Sequence, residues 1–178
     1  MRKLSYEEIA SRRYTLDQLE LAERHPIYGL LDNIRSLYNV GSIFRSSDGA
    51  RISKLILTGY TPHPPRKEIE KTALGATQSV PWEYCKDPYS AIAALRSEGI
   101  RICVLEQTDS SIPYYTISRD LFPLCLVVGN EVTGVSAHII AEADFALEIP
   151  MYGLKQSLNA AVAYGMVVFE FLRILRNP

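Results

Sequence analysis

The chain has 178 residues, a length that fits one domain with a substantial core, and its 47% hydrophobic and 22% charged residues are ordinary for a globular protein. The net charge of −1 argues against a protein that binds a polyanion over its whole surface. No apolar run approaches the roughly 20 residues that a membrane span needs, and the charged N-terminus lacks the apolar segment of a signal peptide.

The cysteines and histidines are few and scattered. Cys85, Cys103 and Cys125 are odd in number and well separated, which predicts reduced thiols in a cytoplasmic protein. The three histidines show no metal-ligand spacing. We therefore expect no bound metal.

Charge is distributed unevenly along the chain. Residues 51–71 contain five basic and two acidic residues, whereas residues 106–150 contain seven acidic residues and one arginine. A polyanion could bind the first region, and a cationic small molecule would tolerate the second. Solvated surfaces produce the same imbalance, so charge alone leaves both interpretations open.

The N-terminal part of the chain is predicted to form a short segment that is followed by alternating strands and helices. Residues 1–24 predict a helical or extended segment. An apolar strand at 27–33 is followed by a helix at 39–50. Asn39 is the expected N-cap of this helix, and Gly49 is expected near its end.

The alternation continues through a proline-rich stretch. A second strand is expected at 54–60. Residues 61–84 contain several prolines, which predict a long loop with at most one helical turn. A helix at 88–99 then ends at Gly99.

The C-terminal part predicts three strands and a last helix. The strands lie at 100–108, 124–130 and 144–150. The helix at 157–176, capped by Ser157 and apolar on all sides, is expected to be buried. Because strands this apolar are buried on both faces, we expect a parallel-type sheet flanked by helices, in one α/β domain over residues 1–178.

Ligands of such sheets bind beyond the carboxyl ends of the strands. This rule brings the residues that follow each predicted strand to one rim of the domain. That rim comprises Asn33, Arg35, residues 58–61, Glu106, Gln107, and residues 129–134 and 150–153.

The stretch LVVGNEVTGVS leads from a strand into a loop on this rim. Gly129, Gly134 and Ser136 match a phosphate-binding P-loop, but Val135 takes the position of its lysine. Gly129 could let backbone approach a ligand or adopt a positive φ, and Glu131 could face a polar or cationic group. A plain turn with a solvated Glu131 is the alternative.

Two further polar residues lie on the predicted helices. Arg45 lies about 140° from Val40 at 100° per residue, off the apolar stripe, so it projects toward solvent or a cleft. Asn159 precedes small residues that suit close approach of another element, including a second subunit. The alternatives are an ordinary surface arginine and an asparagine that satisfies local backbone.

Three motifs together resemble the SpoU (TrmH-like) branch of the SPOUT methyltransferases. The family patterns are N-x-x-x-x-x-R, G-x-E-x-x-G and P-x-x-G-x-x-x-S-L-N. Each pattern alone is weak, but all three occur in the family's order between residues 27 and 175. The matching residues are Asn39 and Arg45, then Gly129, Glu131 and Gly134, then Pro150, Gly153, Ser157, Leu158 and Asn159.

The resemblance implies a fold, a partner and a reaction. The fold has a C-terminal trefoil knot, and the protein is a homodimer whose site is shared between subunits. The methyl donor is S-adenosylmethionine, and the acceptor is a ribose 2′-hydroxyl of tRNA or rRNA. A catalytically silent RNA-binding relative that keeps the cofactor pocket is the alternative.

The resemblance also implies site residues. Arg45 matches the catalytic arginine, and Asn39, Glu131, Ser157 and Asn159 match the other polar motif residues. Because a guanidinium stays protonated in proteins, we expect Arg45 to stabilise charge and not to act as a general base. The residues implied for cofactor binding are Leu105, Glu106, Gln107, Gly129, Asn130, Glu131, Ile149, Met151, Ser157 and Leu158.

RNA binding is expected from local basic residues, because the whole chain carries a net charge of only −1. Such residues would contact phosphates and make the affinity fall with salt. The RNA-binding candidates are Arg35, Arg45, Arg66, Lys67 and Lys71.

Two other enzyme classes lack their motifs here: there is no G-x-G-x-x-G for a dehydrogenase and no G-x-S-x-G for a hydrolase.

Overall fold

The core of the protein is a parallel β-sheet. The computed structural model describes residues 1–177, and all paired strands in it run parallel. The strands are His25–Asp32 (β1), Ile52–Thr58 (β2), Trp82–Cys85 (β3), Arg101–Leu105 (β4), Ile112–Pro113 (β5), Leu124–Val128 (β6) and Phe145–Glu148 (β7). Their order in the sheet is β3-β2-β1-β6-β4-β7-β5.

Helices cover both faces of this sheet. They are Tyr6–Ala10 (α1), Leu16–Leu21 (α2), Leu37–Gly49 (α3), Lys67–Ala73 (α4), Ala76–Ser79 (α5), Pro88–Ser97 (α6), Ala137–Glu142 (α7) and Ala160–Arg176 (α8). Helices α3, α4 and α8 pack on one face, and α6 and α7 pack on the other. The predicted parallel α/β fold is confirmed.

Successive strand residues point into the two opposite cores. In β1, Ile27 and Leu31 pack on the α3 and α8 side, whereas Leu30 packs on the α6 and α7 side. In β6, Leu126 and Val127 divide between the two cores in the same way. Because side chains alternate across a strand, burial of both faces requires the continuous apolar character seen in the sequence.

The predicted loop over residues 61–84 is wrong, because this stretch contains α4, α5 and β3. Ile69 and Ala73 lie one turn apart, are buried, and pack in the same core as α3. The approach is close at Gly41 of α3, where a Cβ would lie 2.1 Å from Thr72 Oγ1 and 2.2 Å from Ile69 O. Most of the prolines that suggested a loop precede α4, so they end before the helix begins.

Both predicted helix caps are wrong. Ser36, and not Asn39, caps α3, since its Oγ accepts from the N–H of Asn39 at 3.3 Å. Asn159, and not Ser157, caps α8, since its Oδ1 accepts from the Ala161 N–H at 3.0 Å. The side chain of Asn39 is therefore inside the first turn of α3 and can bond elsewhere.

The sequence predicted that helix α8 would be buried on all sides, and this prediction is wrong. Tyr164 is fully buried, but Val162, Met166 and Phe169 are 52%, 40% and 48% exposed and form an apolar surface that we call the α8 face. The close approach expected near the small residues is made by α3 of the same chain, because a Cβ on Gly165 would lie 3.3 Å from the Ser46 Oγ. Within residues 1–177, none of the helices has the length and apolar character needed to cross a membrane.

The N-terminal segment lies on the surface. Helices α1 and α2 each begin with a capping box and bury none of their residues. Tyr14 contacts the body of the protein, where its hydroxyl accepts from Arg51 Nη1 at 3.1 Å and its ring lies under the guanidinium. This segment thus consists of two short helices joined by non-helical chain.

Candidate functional site

An open cavity of about 510 Å³ lies beyond the carboxyl ends of β4, β6 and β7, beside the start of α8. We call it the motif cavity. Its position agrees with the general location of ligand sites in open parallel sheets. The structure brings into its walls all ten residues implied for cofactor binding: Leu105, Glu106, Gln107, Gly129, Asn130, Glu131, Ile149, Met151, Ser157 and Leu158.

The loop after β6 is closed by its own backbone. Asn130 and Gly134 exchange two backbone hydrogen bonds of 3.0 and 2.9 Å. A Cβ on Gly129 would lie 2.2 Å from Val135 N, so glycine is needed there for the loop to fold onto itself. Gly134 has a positive φ of 72°. Gly129 lines the cavity, but the loop accounts for its lack of a side chain without any ligand.

The side chain of Asn130 holds this loop in place. Its Oδ1 accepts from the N–H groups of Val132 and Thr133 at 2.9 and 3.0 Å. Its Nδ2 donates to Asn33 O at 2.9 Å and to Tyr60 Oη at 2.7 Å. Every donor and acceptor position of the side chain is engaged by protein, and the backbone N–H and C=O bond to Gly134, so Asn130 serves to hold the loop.

Glu106 ties the end of β4 to the same loop. One carboxylate oxygen accepts from the Gln107 N–H at 3.0 Å, and the other accepts from the Val135 N–H at 3.0 Å. Gln107 extends the contact to the segment before α8, because its Nε2 donates to Gln156 O at 2.6 Å. These hydrogen bonds connect the end of β4 to two other parts of the cavity wall, the loop after β6 and the segment before α8. The sequence did not indicate Gln156, whose contribution is a backbone oxygen.

Glu131 binds the start of α3. Its carboxylate accepts from the N–H groups of Arg35 and Ser36 at 2.9 and 3.0 Å, and from Asn39 Nδ2 at 2.8 Å. Burial raises the pKa of Glu131, but the hydrogen bonds, led by that from the Arg35 N–H, outweigh it and hold the pKa below its usual range. Glu131 is therefore a stable carboxylate at neutral pH.

Three of the predicted polar motif residues form one hydrogen-bonded chain. Asn159 Nδ2 donates to Asn39 Oδ1 at 3.1 Å, and Asn39 Nδ2 donates to Glu131. This chain connects the N-terminal ends of α8 and α3 to the loop after β6. Ser157 lies in the cavity wall next to it. The structure thus assembles four of the five residues implied for catalysis.

Arg45 is the exception. It is exposed on α3, and within residues 1–177 it is neither part of the cavity wall nor bonded to another side chain. It lies next to Ser46, which faces Gly165, and one turn before Gly49, which faces Phe169. Arg45 is therefore close to the α8 face and away from the cavity of its own chain.

The charge of the cavity limits the ligands that fit it. Glu106, Glu131 and Glu148 are among its lining residues, but no lysine or arginine of the described residues is. The remaining wall is largely apolar, with Leu105, Ile149 and other aliphatic side chains. A phosphate group would find no cation here, whereas a flat, cationic ligand of moderate size would fit both the charge and the volume. Glu148 was missed in the sequence, although it ends a strand at the predicted rim.

Residues 26–169 match the model of the SpoU rRNA Methylase family, which is most of the chain. The chain belongs to the SpoU methylase family. The chain is 32% identical over 143 residues to a tRNA (guanosine(18)-2′-O)-methyltransferase of Aquifex aeolicus, covering 80% of this chain and 66% of the relative.

Solved structures of the family show the same fold. The TrmH/SpoU tRNA modifying enzyme of Aquifex aeolicus superposes on this chain with a TM-score of 0.79 at 29% identity, covering 89% of this chain and 81% of that one. An AdoMet-bound rRNA methyltransferase from Sinorhizobium meliloti gives a TM-score of 0.79 at 30% identity, covering 87% and 59%. The trefoil knot implied by the family stays a prediction.

The chain spans 57% to 70% of the length of the curated relatives that it matches. Those proteins therefore contain segments that have no counterpart in the aligned part of this chain.

A second cavity of about 520 Å³ lies on the β2 and β3 side of the Glu131 contact. It contains two of the predicted RNA-binding residues, Arg35 and Arg66, and we call it the aromatic cavity after Tyr60, His63 and Tyr84 in its wall. The other two candidates of the proline-rich region, Lys67 and Lys71, are exposed on the adjoining helix α4. Tyr60 lies in the stretch 58–61 that the sequence placed on the rim, but the sequence did not indicate His63 or Tyr84.

The described residues contain no group of three or more histidine, cysteine, aspartate or glutamate side chains placed to hold a metal ion. The three cysteines are free thiols, and burial raises the pKa of Cys103 and Cys125. The expectation that the protein binds no metal stays a prediction.

Proposed function

We propose that this chain transfers a methyl group from S-adenosylmethionine to a ribose 2′-hydroxyl of tRNA or rRNA. The observation that carries the proposal is the motif cavity, in which all ten implied cofactor residues meet next to the Asn159–Asn39–Glu131 chain. Membership of the SpoU methylase family supports it, as do the activities of the relatives.

The cavity has the chemistry that this cofactor requires. S-Adenosylmethionine is cationic at sulfur and carries no phosphate, and bound S-adenosylmethionine supplies an electrophilic methyl group. Glu106 and Glu131 keep the cavity negative, while Leu105, Ile149 and Leu158 offer apolar surface to a flat ring. Residues 105–107, 129–131, 149–151 and 157–158 would hold the cofactor.

In this proposal three polar residues hold other groups in place and do not react themselves. They are Glu131, Asn39 and Asn159. Glu131 is fully engaged by three donors and its pKa is lowered, so it is a poor proton acceptor. Its carboxylate instead fixes the start of α3; Arg35 directly precedes the cap of this helix, and Arg45 lies on the helix. Holding reacting groups in place can supply much of the barrier reduction in a transfer reaction.

Arg45 supplies positive charge. A guanidinium does not lose its proton at physiological pH, so we assign it to binding an RNA phosphate and stabilising negative charge that develops on the ribose oxygen. The proton acceptor would then be a phosphate oxygen or water.

The position of Arg45 requires a second subunit in this proposal. The α8 face is exposed and apolar, and it adjoins both Arg45 and the N-terminal rim of the motif cavity at Asn159. A two-fold homodimer that buries the α8 face would bring Arg45 of one subunit toward the cavity of the other. Exposed apolar surfaces of this kind commonly mark such interfaces.

RNA is held mainly by local charge. Arg35 and Arg66 border the aromatic cavity, and Lys67 and Lys71 are exposed on α4 beside it. Phosphate contacts from these residues would make the affinity fall as salt rises. A cytoplasmic location belongs to the same proposal, because tRNA and rRNA are found there and the three cysteines are free.

Two measurements test the proposed function. Calorimetry should show S-adenosylmethionine binding, and labelled methyl groups should enter the ribose of total tRNA or rRNA. Arg45→Ala should abolish transfer but keep cofactor binding, whereas the matched variant Arg119→Ala, an exposed arginine outside both cavities, should keep both. Cofactor and RNA binding without any transfer by the wild type would favour the silent RNA-binding relative, and full activity of Arg45→Ala would contradict its assignment.

A further inference from the structure

The aromatic cavity has the opposite charge from the motif cavity. Arg35 and Arg66 are exposed in its wall, and no aspartate or glutamate of the described residues lines it. A cavity of about 520 Å³ with two cations and no acid suits an anionic ligand. Its location at the carboxyl ends of β2 and β3 is also the general location of ligand sites in parallel sheets.

Three aromatic side chains make the cavity more than a basic patch. Tyr60 is 62% exposed and Tyr84 is 41% exposed. The His63 and Tyr84 rings lie 4.7 Å apart between centroids at 39°. The Tyr84 hydroxyl donates to Gly59 O at 2.7 Å, which holds the ring in place. A fixed, accessible aromatic surface can stack on a planar base, which a phosphate group alone does not require.

Two contacts connect the aromatic cavity to the motif cavity. Tyr60 Oη accepts from Asn130 Nδ2 at 2.7 Å, and the Arg35 N–H donates to Glu131 at 2.9 Å. Asn130 and Glu131 both line the motif cavity. The two cavities are thus neighbours that share a wall formed by the loop after β6 and the chain before α3.

We propose that the aromatic cavity binds an unpaired nucleobase of the substrate RNA, from a nucleotide close to the methylated ribose. The inference rests on the proposed function and adds a chemical class of ligand to a site beside it. The base would stack on the exposed ring of Tyr84, which packs against His63, beside Tyr60, while Arg35 and Arg66 hold the flanking phosphates. The site would select RNA in which the bases next to the target are unstacked, as in a loop.

The test compares two oligoribonucleotides of about six nucleotides, an oligoadenylate and an abasic oligomer with the same phosphates. The wild-type chain should bind the oligoadenylate about tenfold more tightly, because stacking needs the base. Tyr84→Leu and His63→Leu should each bring the two affinities closer together. Arg66→Ala should weaken both oligomers and reduce the salt dependence.

Tyr115→Leu is the matched control, because Tyr115 is 51% exposed and lies outside both cavities. It should keep the full preference for the oligoadenylate. Unchanged S-adenosylmethionine binding and thermal stability in Tyr84→Leu would show that its effect is confined to the aromatic cavity. Equal wild-type affinity for the two oligomers, or an undiminished preference in both aromatic variants, would overturn the inference.

The result is separable from the proposed function. A wild-type chain that transfers methyl groups but shows no base preference would contradict only the base-binding cavity. A chain that prefers the oligoadenylate but transfers no methyl group would contradict the proposed reaction and leave the base-binding cavity standing.

Discussion

The carboxylate of Glu131 joins segments that are 95 residues apart in the sequence, because it accepts hydrogen bonds from the start of α3. Two of its three donors are backbone N–H groups, of Arg35 and Ser36, and the third is the amide of Asn39. Hydrogen bonds to a charged acceptor are stronger than neutral ones. One side chain thus positions the loop of one cavity and a wall of the other.

Glu131→Gln should lower both stability and methyl transfer. The amide keeps one acceptor but turns an NH₂ group toward a donor, so we expect a loss of about 1–3 kcal/mol in the free energy of unfolding. Methyl transfer should fall at least tenfold, because α3 is no longer held in one position. Denaturant unfolding and methyl incorporation measure the two effects. Glu142→Gln is the control, since Glu142 is exposed and outside both cavities.

The stability difference between wild type and Glu131→Gln should depend on pH. The folded-state pKa of Glu131 is lowered, so its stabilisation is complete above the unfolded pKa of about 4.3 and is lost as pH falls through the folded value. The difference in unfolding free energy should therefore shrink when the pH is reduced from about 6 to about 3. A difference that is the same at both pH values would show that the carboxylate charge is not what stabilises the contact.

Helix α4 carries two basic RNA-binding candidates, and its position depends on a close contact with α3. Lys67 and Lys71 are on the exposed side of α4, while Ile69 and Ala73 are buried on the other side. Gly41 of α3 faces this buried side. The approach of the two helices therefore determines where the positive charge of α4 lies relative to the aromatic cavity.

Gly41→Ala should destabilise the protein. Its Cβ would lie within 2.2 Å of backbone and side-chain atoms of α4, so the two helices would have to move apart. Overpacking of this kind costs about 1–3 kcal/mol, measurable by denaturant unfolding. Gly153→Ala is the control for stability, since a Cβ there has no atom within 4 Å. Equal stability of Gly41→Ala and wild type would mean that the α3–α4 contact adjusts freely.

In the molecule as a whole, the proposed site is incomplete within one chain. Asn39, Glu131, Ser157 and Asn159 come together, but Arg45 remains outside the motif cavity. The proposed homodimer removes this difficulty by letting each cavity use the arginine of the other subunit. It also accounts for the exposed α8 face, which a monomer would leave in water.

Mixed dimers test the shared site. Arg45→Ala and Met151→Arg chains should each be inactive alone, the second because an arginine in the wall of the motif cavity repels the cationic cofactor while α3 stays in place. Co-expressed, they should recover about a quarter of the wild-type rate, because half of the dimers are mixed and each of these has one intact site. Methyl incorporation measures the recovery. No recovery would mean that Arg45 serves the cavity of its own chain.

A variant of the α8 face supplies the control for this experiment. Met166→Glu places a charge on an apolar surface and should give a folded monomer with little activity, as measured by sedimentation and circular dichroism. A dimer of unchanged stability would show that the α8 face is not the interface.

Some features of this protein could be read from local patterns alone. The apolar strands predicted the parallel sheet, because burial on both faces leaves a continuous trace in the sequence. The spacing of Gly129 and Gly134 predicted a loop after the strand, and the closure of that loop is a local property. The three motifs together predicted the family that the match over residues 26–169 then showed.

Other features depended on residues far apart in the chain. Ile69 and Ala73 did not suggest a helix beside so many prolines, and its packing depends on Gly41 of α3. The predicted N-caps of α3 and α8 were wrong because several polar residues lie near the start of each helix, and Ser36 and Asn159 are each only one of them. Hydrogen-bond geometry, which the sequence does not contain, selects among them.

The sequence was sufficient for the fold class and the family, but not for the spatial arrangement of the motif residues. Asn39 meets Glu131 across 92 residues, and Tyr60 meets Asn130 across 70, because the order of strands places their loops side by side. Strand order follows from how whole elements pack, so no local pattern encodes it. For the same reason only the folded chain revealed the aromatic cavity and the position of Arg45 outside the motif cavity.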